Sequence, residues 1–233
     1  MVADASGTVP ACAANASLSA SEAPAALVLG STSPGRAAVL TAAGIAFSQQ
    51  GSDVDEDAVV AAATAEAKAH LTPAAQAQLL AEAKAADVAQ TLSRNPTGSR
   101  LVLGCDSVFE FEGVAYGKPH TPQAARERWL SQRGREGVLH SGHCLIDLQT
   151  GQKATECVSS TVRFAFVTDE EVEAYIATGE PLPCAGAFTV DGRAAALIDG
   201  IEGDFHAVVG LSPAALRRML NQLGLPLTLV WPH

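Results

Sequence analysis

The stretch Ala25–Leu40, AALVLGSTSPGRAAVL, decides how the rest of the chain is read. Ala25–Gly30 is a short apolar run that reads as a buried strand. Ser33-Pro34 then has the form of an N-cap followed by proline at the first helical position, and Gly44 closes that helix. A strand that passes through a hydroxyl-rich loop into a helix leaves the first helical amides unpaired and pointing outward. The positive end of the helix dipole stands behind them, so the unit is a place for an anion. Ser31 and Ser33 can donate hydroxyl hydrogen bonds there, Gly35 leaves room for close approach, and Arg36 supplies a permanent cation able to fork onto phosphate oxygens. The same residues also read as an ordinary helix cap with a surface arginine. The phosphate-loop pattern GxxxxGK[ST] is absent.

Outward from this unit the chain mixes crossovers and hairpins. Residues 1–24 are small and polar, lack the basic start and apolar core of a signal peptide, and read as a disordered leader to a domain over 25–233. IAFSQQGSDVDED reads as an extended segment running into an acidic loop. Residues 58–93 are alanine-rich and predict one or two helices broken near Thr72-Pro73. RLVLGCDSVFEF is a second buried strand, and Glu112-Gly113 sends VAYGKP back as a hairpin. PQAARERWLSQR is a helix, and GVLHSGHCLIDL and KATECVSSTVRFAFV flank QTGQ as a long antiparallel pair. Thr168 and Glu171 have capping-box spacing for the helix DEEVEAYIAT. EPLPCAGAFTVDG is a loop, AAALI is expected as a strand, and GIEGDFHAVVG as a turn plus strand. Ser212-Pro213 opens the last helix, which ends near Gly224. This pattern predicts an α/β fold with a mixed sheet.

Bulk composition narrows the function. The formal net charge is -10, which disfavours a surface that grips a nucleic-acid backbone yet permits a small basic pocket. Five cysteines, at 12, 105, 144, 157 and 184, show no CxxC spacing, so reduced thiols in a cytoplasmic protein are expected. No apolar run is long enough to span a bilayer, and neither a nucleic-acid polymer nor a membrane is expected as a partner.

Three further constellations could carry chemistry. Asp106, in GCDSV, falls near the end of an almost wholly apolar strand, where open α/β sheets place ligands. A carboxylate there is costly unless it meets a metal, a cation or donors, and it could take a proton from water. A turn-forming aspartate is the plainer reading. Lys118, in YGKP, sits in a constrained turn and could reach a phosphate, or simply be solvated. In GSDVDED an extended chain would put Asp53, Asp55 and Asp57 on one face and Glu56 on the other. Such clustered oxygens suit Mg²⁺ or Mn²⁺, and also suit an ordinary solvated loop. His140 and His143 lie three apart on a strand and so face opposite ways, which is poor geometry for a shared metal. His206 is expected to pack beside the sheet end.

In order, LGSTSPGRAAVLTAAGIAF, SDVDE, LAEAKA, LGCDSV, GKP, EAYIATGEPLPCAGAF and IEGDFHAVVGL closely resemble the Maf family of nucleoside triphosphate pyrophosphatases, from about Leu27 to Gly224. The resemblance implies an elongated mixed β-sheet flanked by helices, with two lobes around a deep cleft, similar to inosine triphosphate pyrophosphatases. It implies cleavage between the α- and β-phosphates of a nucleoside triphosphate, giving a monophosphate and pyrophosphate, with a divalent metal cation, Mg or Mn. A homodimer is compatible with it. Carried over by motif, Ser31 and Arg36 belong to the phosphate loop, Glu56 and Asp106 to the metal, Asp106 to proton acceptance, and Lys84 and Lys118 to catalysis.

The chain departs from the family pattern at three positions, all matched to base choice. Gly35 stands where the common SxSPRR loop has its first arginine, Ser107 replaces Thr or Gln, and Asp191 stands where the pyrimidine-acting branch has Gln. An acidic side chain can accept from the N1 and N2 edge of guanine. Together with Cys184-Ala185-Gly186, this leans toward a 7-methyl-GTP-like substrate over a UTP- or dTTP-like one, although Ser107 matches neither branch. Two alternatives stay open: a non-catalytic nucleotide-binding regulator of cell division, and a metal-dependent phosphomonoesterase.

Overall fold

The computed structural model describes residues 25–232, so the leader expected over 1–24, with Cys12, lies outside the described residues. The first unit forms as the sequence predicts. β1 (Leu27–Gly30) is buried along its length, and α1 (Pro34–Ala42) is capped by Ser33, whose Oγ accepts the amide of Arg36. The sheet has seven strands. β2 (Phe47–Gln49), β1 and β3 (Leu101–Phe111) run parallel. β5 (Glu136–Asp147), β6 (Lys153–Phe164) and β7 (Ile198–Glu202) continue antiparallel, giving the order β2-β1-β3-β5-β6-β7. β4 (Val114–Tyr116) folds back as a hairpin on the far half of β3. The expected α/β fold with a mixed, helix-flanked sheet is what the chain builds.

Two apolar cores divide the long strands between them. At the β1 end, Leu27, Leu29, Leu101, Leu103 and Leu145 pack against α1 and the last helix, α7 (Pro213–Gln222). At the other end Phe109, Phe164, Trp129 and Phe188 meet edge to face beneath α4 (Pro122–Gln132) and α5 (Asp169–Ala177). Trp129 is fully buried, and its indole N–H donates to the Ala187 carbonyl at 2.7 Å. Such a side chain contributes hydrophobic burial without leaving an unpaired donor.

The alanine-rich stretch is broken as expected, into α2 (Glu56–Ala67) and α3 (Pro73–Arg94). Ala77, Ala81 and Ala85 recur every four residues and are wholly buried. This ridge sits on glycines of the adjacent strands. A Cβ at Gly104 would lie 2.3 Å from the Ala81 carbonyl oxygen, and one at Gly142 would lie 2.3 Å from that of Ala77. Helix and sheet backbones touch there because neither side carries more than a methyl group.

Three expectations are corrected. The acidic stretch does not stay extended. Asp55 is the N-cap of α2, accepting from the Ala58 amide, and Glu56 and Asp57 occupy the first turn. Negative charge at the positive end of the helix dipole favours this, so Asp53, Asp55 and Asp57 share no strand face. Ala194–Leu197 lie in a short 3-10 helix, Arg193–Leu197, and β7 starts only at Ile198. DFHAVV forms a short helix, α6 (Phe205–Val209), because Asp204 accepts from the His206 and Ala207 amides. Its cap outweighs the strand preference of Val208 and Val209. His206 therefore stands about half exposed rather than packed. Among the described residues no helix is long and apolar enough to cross a membrane, and the four described cysteines are free.

Candidate active site

β3 is longer than the strands that cover its outer edge. β1 pairs with it only as far as Gly104, and β4 takes over at Phe109. Residues 105–108 thus form an open stretch of sheet edge, and Asp106 and Ser107 stand in it; Asp106 lies at the middle of β3 rather than near its end, because the strand runs on through Phe111 to pair with β4. A pocket of about 1230 Å³ lies over this gap. The loop before α1 brings Ser31, Ser33, Gly35 and Arg36 to it. α2 and α3 bring Glu56 and Lys84, and the hairpin end brings Lys118. Asp191 arrives from the loop before β7. The ten residues assigned above to substrate, metal or catalysis therefore line one pocket, as does Asp57, whereas Asp53 and Asp55 do not.

The centre is a lysine between two carboxylates. Lys84 Nζ lies 2.5 Å from Asp106 Oδ1 and 2.7 Å from Glu56 Oε1. The glycine seat at Gly104 brings α3 close enough for this. The two acids respond oppositely. Burial pushes the Asp106 carboxyl above the usual aspartate range, and the charges of Lys84 and Arg36 only partly offset it. Burial acts upward on Glu56 as well, but the Lys84 hydrogen bond and the charges of Lys84, Lys118 and Arg36 outweigh it and hold Glu56 below the usual range. Glu56 is half exposed and Asp106 almost wholly buried, which accounts for the difference.

Arg36 is at the pocket, but its donors turn inward. Nε donates to the Gly210 carbonyl at 3.0 Å. Nη1 donates to Ser31 Oγ at 3.0 Å and to the Cys105 carbonyl at 2.8 Å. Nη2 donates to Ser107 Oγ at 3.2 Å. Ser107 Oγ is also 2.9 Å from Ser141 Oγ, whose own proton goes to the Ala207 carbonyl. Ser107 must therefore donate to Ser141, which leaves it without a proton for a ligand. Ser33 Oγ serves the helix cap, and the Ser33 amide donates to Ser31 Oγ. The Ser31 proton remains available. Lys118 is exposed in its turn. Asp191 accepts from the Thr189 hydroxyl and sits against the start of α1, its Oδ2 3.6 Å from where a Cβ on Gly35 would be.

The histidines lie apart from this centre. His140 bonds Ser159 Oγ and Glu110, and buried His143 receives the Ser212 amide on Nε2 at 2.9 Å. Four supporting residues escaped the sequence reading. Gln49 Nε2 donates to the Ser31 carbonyl at 2.7 Å, bracing the loop between β1 and α1. Ser141 completes the Ser107 chain. Arg128 donates to the Gly117 carbonyl, fixing the turn that carries Lys118. Glu180 Oε1 accepts the Arg193 amide at 2.8 Å, tying down the loop of Asp191. Only Glu180 carried a signal, since it stands in the motif GEPLPCAGAF.

The fold and site define an α/β protein whose pocket joins two lysines, a helix N-terminus and a buried carboxylate at an open sheet edge. The chain belongs to the family described as Maf-like protein, which matches residues 26–223. It is 47% identical over 205 residues to a protein of Streptomyces coelicolor, covering 88% of this chain and 94% of that one. It is 50% identical over 209 residues to one of Leifsonia xyli subsp. xyli, covering 88% and 96%. To one of Prochlorococcus marinus it is 42% identical over 194 residues, covering 83% and 97%. Each of these relatives is named nucleoside triphosphate pyrophosphatase.

Proposed function

We propose that this chain hydrolyses a nucleoside triphosphate between its α- and β-phosphates, releasing a nucleoside monophosphate and pyrophosphate. The observation that carries the reading is the Lys84–Asp106 pair in the polyanion pocket, in a chain whose relatives bear that name. Lys84 engages Oδ1 of Asp106, so Oδ2 is the oxygen for a water proton. Burial raises the affinity of this carboxylate for a proton, which makes it a stronger base than an exposed aspartate. Lys84 and Lys118 face the charge that gathers on the phosphates, and the α1 amides with the Ser31 hydroxyl add donors.

Two carboxylates sharing one lysine are a hard oxygen pair of the kind that holds Mg²⁺ or Mn²⁺ together with substrate phosphates. Glu56 and Asp106 would hold such an ion, which supplies charge neutralisation at the phosphate when bound. The favoured base is a modified purine of the 7-methyl-GTP kind. Asp191, at the pocket rim beside Gly35, is the acceptor for its N1 and N2 edge.

The test is a panel of normal and modified triphosphates with Mg²⁺ or Mn²⁺, with pyrophosphate and orthophosphate measured separately. Pyrophosphate release is expected from the wild type. In Asp106→Asn it should fall by about 10²-fold or more while the fold stays intact. Orthophosphate as the sole anion product would indicate a phosphomonoesterase. Tight binding without turnover would indicate a regulator.

A further inference from the structure

We propose that Arg36 is a positioning residue: its guanidinium replaces the missing strand at the open edge of β3 and so fixes Asp106, rather than gripping phosphate. The inference rests on the pyrophosphatase reading of the same pocket.

A guanidinium has five N–H groups. Four of them meet protein acceptors: both on Nη1, the one on Nε, and one on Nη2. A single N–H is left, so a bidentate fork onto a phosphate is not available. The acceptors are informative in their placement. Cys105 and Ser107 are the immediate neighbours of Asp106 on either side. They lie in the stretch where β1 has ended at Gly104 and β4 has not begun. An unpaired strand edge beside a buried carboxylate would be free to shift, and its carbonyl would need a donor. Arg36 supplies that donor from the first turn of α1.

The other two ties anchor the clamp. Ser31 lies in the phosphate loop and Gly210 follows α6, so one side chain joins three segments to the edge strand. Gly210 has φ of 126°, and a Cβ there would approach Arg36 Nε to 3.2 Å, so the chain turns closely around the guanidinium. A lysine keeps the charge but has three donors on one atom. It cannot reach acceptors spread around a planar fork.

The experiment compares wild type, Arg36→Lys and Ser107→Ala in kcat and KM for pyrophosphate release. It adds the affinity for a triphosphate analogue with a non-hydrolysable α–β bridge, and thermal melting as a check on folding. Arg36→Lys should lower kcat by about 10- to 100-fold, the scale of an ångström-size misplacement, with analogue affinity and KM within about threefold of wild type. Ser107→Ala removes one tie and leaves the charge in place. It should lower kcat by a smaller factor, and the double variant should fall short of the product of the two effects.

If Arg36→Lys does not fold, Ser107→Ala decides: wild-type kcat there overturns the clamp. A tenfold loss of analogue affinity in Arg36→Lys with kcat retained also overturns it and makes Arg36 a phosphate ligand. A wild type that releases no pyrophosphate from any triphosphate overturns the reaction and the catalytic consequence of the clamp together. An active wild type matched in kcat by Arg36→Lys overturns the clamp alone.

Discussion

Replacing Gly104 by alanine tests whether the seat of α3 on the sheet sets the geometry of the Lys84–Asp106 pair proposed to act in the reaction. The new Cβ would stand 2.3 Å from the Ala81 carbonyl oxygen, 2.6 Å from the Ala85 nitrogen and 2.7 Å from the Ala85 Cβ. Real Cβ contacts essentially never fall below 3.0 Å, and ordinary contact begins at 3.4 Å. The obstacle is helix backbone, which cannot swing aside like a side chain. α3 must therefore retreat by roughly 0.7 to 1.1 Å at this turn. Lys84 precedes Ala85 and travels with it, stretching the 2.5 Å contact to Asp106. Overpacking of this kind costs about 1–3 kcal/mol of stability. A misplacement near 1 Å at reacting groups costs about 10²-fold in rate. Urea unfolding with pyrophosphate release at saturating substrate measures both. The expected protein is folded, destabilised within that range, and slower by about 10- to 100-fold. A variant that unfolds and turns over like wild type would show that the glycine seat does not set the Lys84–Asp106 distance.

Two further outcomes follow from the same coordinates. His143 is fully buried, its Nε2 accepts the Ser212 amide, and Nδ1 faces the Glu156 carbonyl, so the native ring is neutral. Burial lowers its pKa from 6.5 to about 4. The unfolded chain therefore binds a proton that the native state refuses, and stability is lost as pH falls from about 6.5 to about 4, by about 3 kcal/mol in all. Urea unfolding across that window should show the loss in wild type and a flatter profile in His143→Gln; equal slopes would mean another group governs the acid limb. Asp191→Gln should lower kcat/KM for 7-methyl-GTP relative to UTP or dTTP, because an acceptor for the purine edge is halved. An unchanged ratio would mean that Asp191 shapes its loop without reading the base.

The parts of the fold legible in the sequence are those held by local chemistry. Ser33-Pro34, Thr72-Pro73, Thr168 with Glu171, and Ser212-Pro213 each start a helix where the cap residue says it should. The misread stretches are those where local signals conflict. GIEGDFHAVVG carries both a β-branched pair and an aspartate cap, and the cap prevails, with Asp204 also receiving the Ser212 hydroxyl from the next helix. AAALI has apolar residues without a strand partner until Ile198 meets Phe164. For the site, each residue type pointed to an ion or a phosphate, but not to its neighbours. The partners of Arg36 stand up to 174 positions away, and no spacing in the sequence announces them. Gly104 is a further case: its role as the seat of α3 shows only in the contacts a Cβ there would make with Ala81 and Ala85.

Under the proposed reaction, the opposite shifts of the two acids on Lys84 would suit them to different work. In the proposed reaction Asp106 takes the water proton through one oxygen and would help to hold the ion, whereas Glu56 would serve the ion alone. Asp106 is buried in β3, where the loss of water raises its proton affinity despite two nearby cations. Glu56 opens a helix at the surface of the pocket, keeps about half its exposure, and is held ionised by the same lysine. In the proton-accepting role a half-exposed Glu56 would be a weaker base than buried Asp106. One lysine between unlike carboxylates would thus give the proposed reaction one acid suited to proton transfer and one suited to staying charged, and pairs of acids pushed apart in pKa by their surroundings commonly mark such a division.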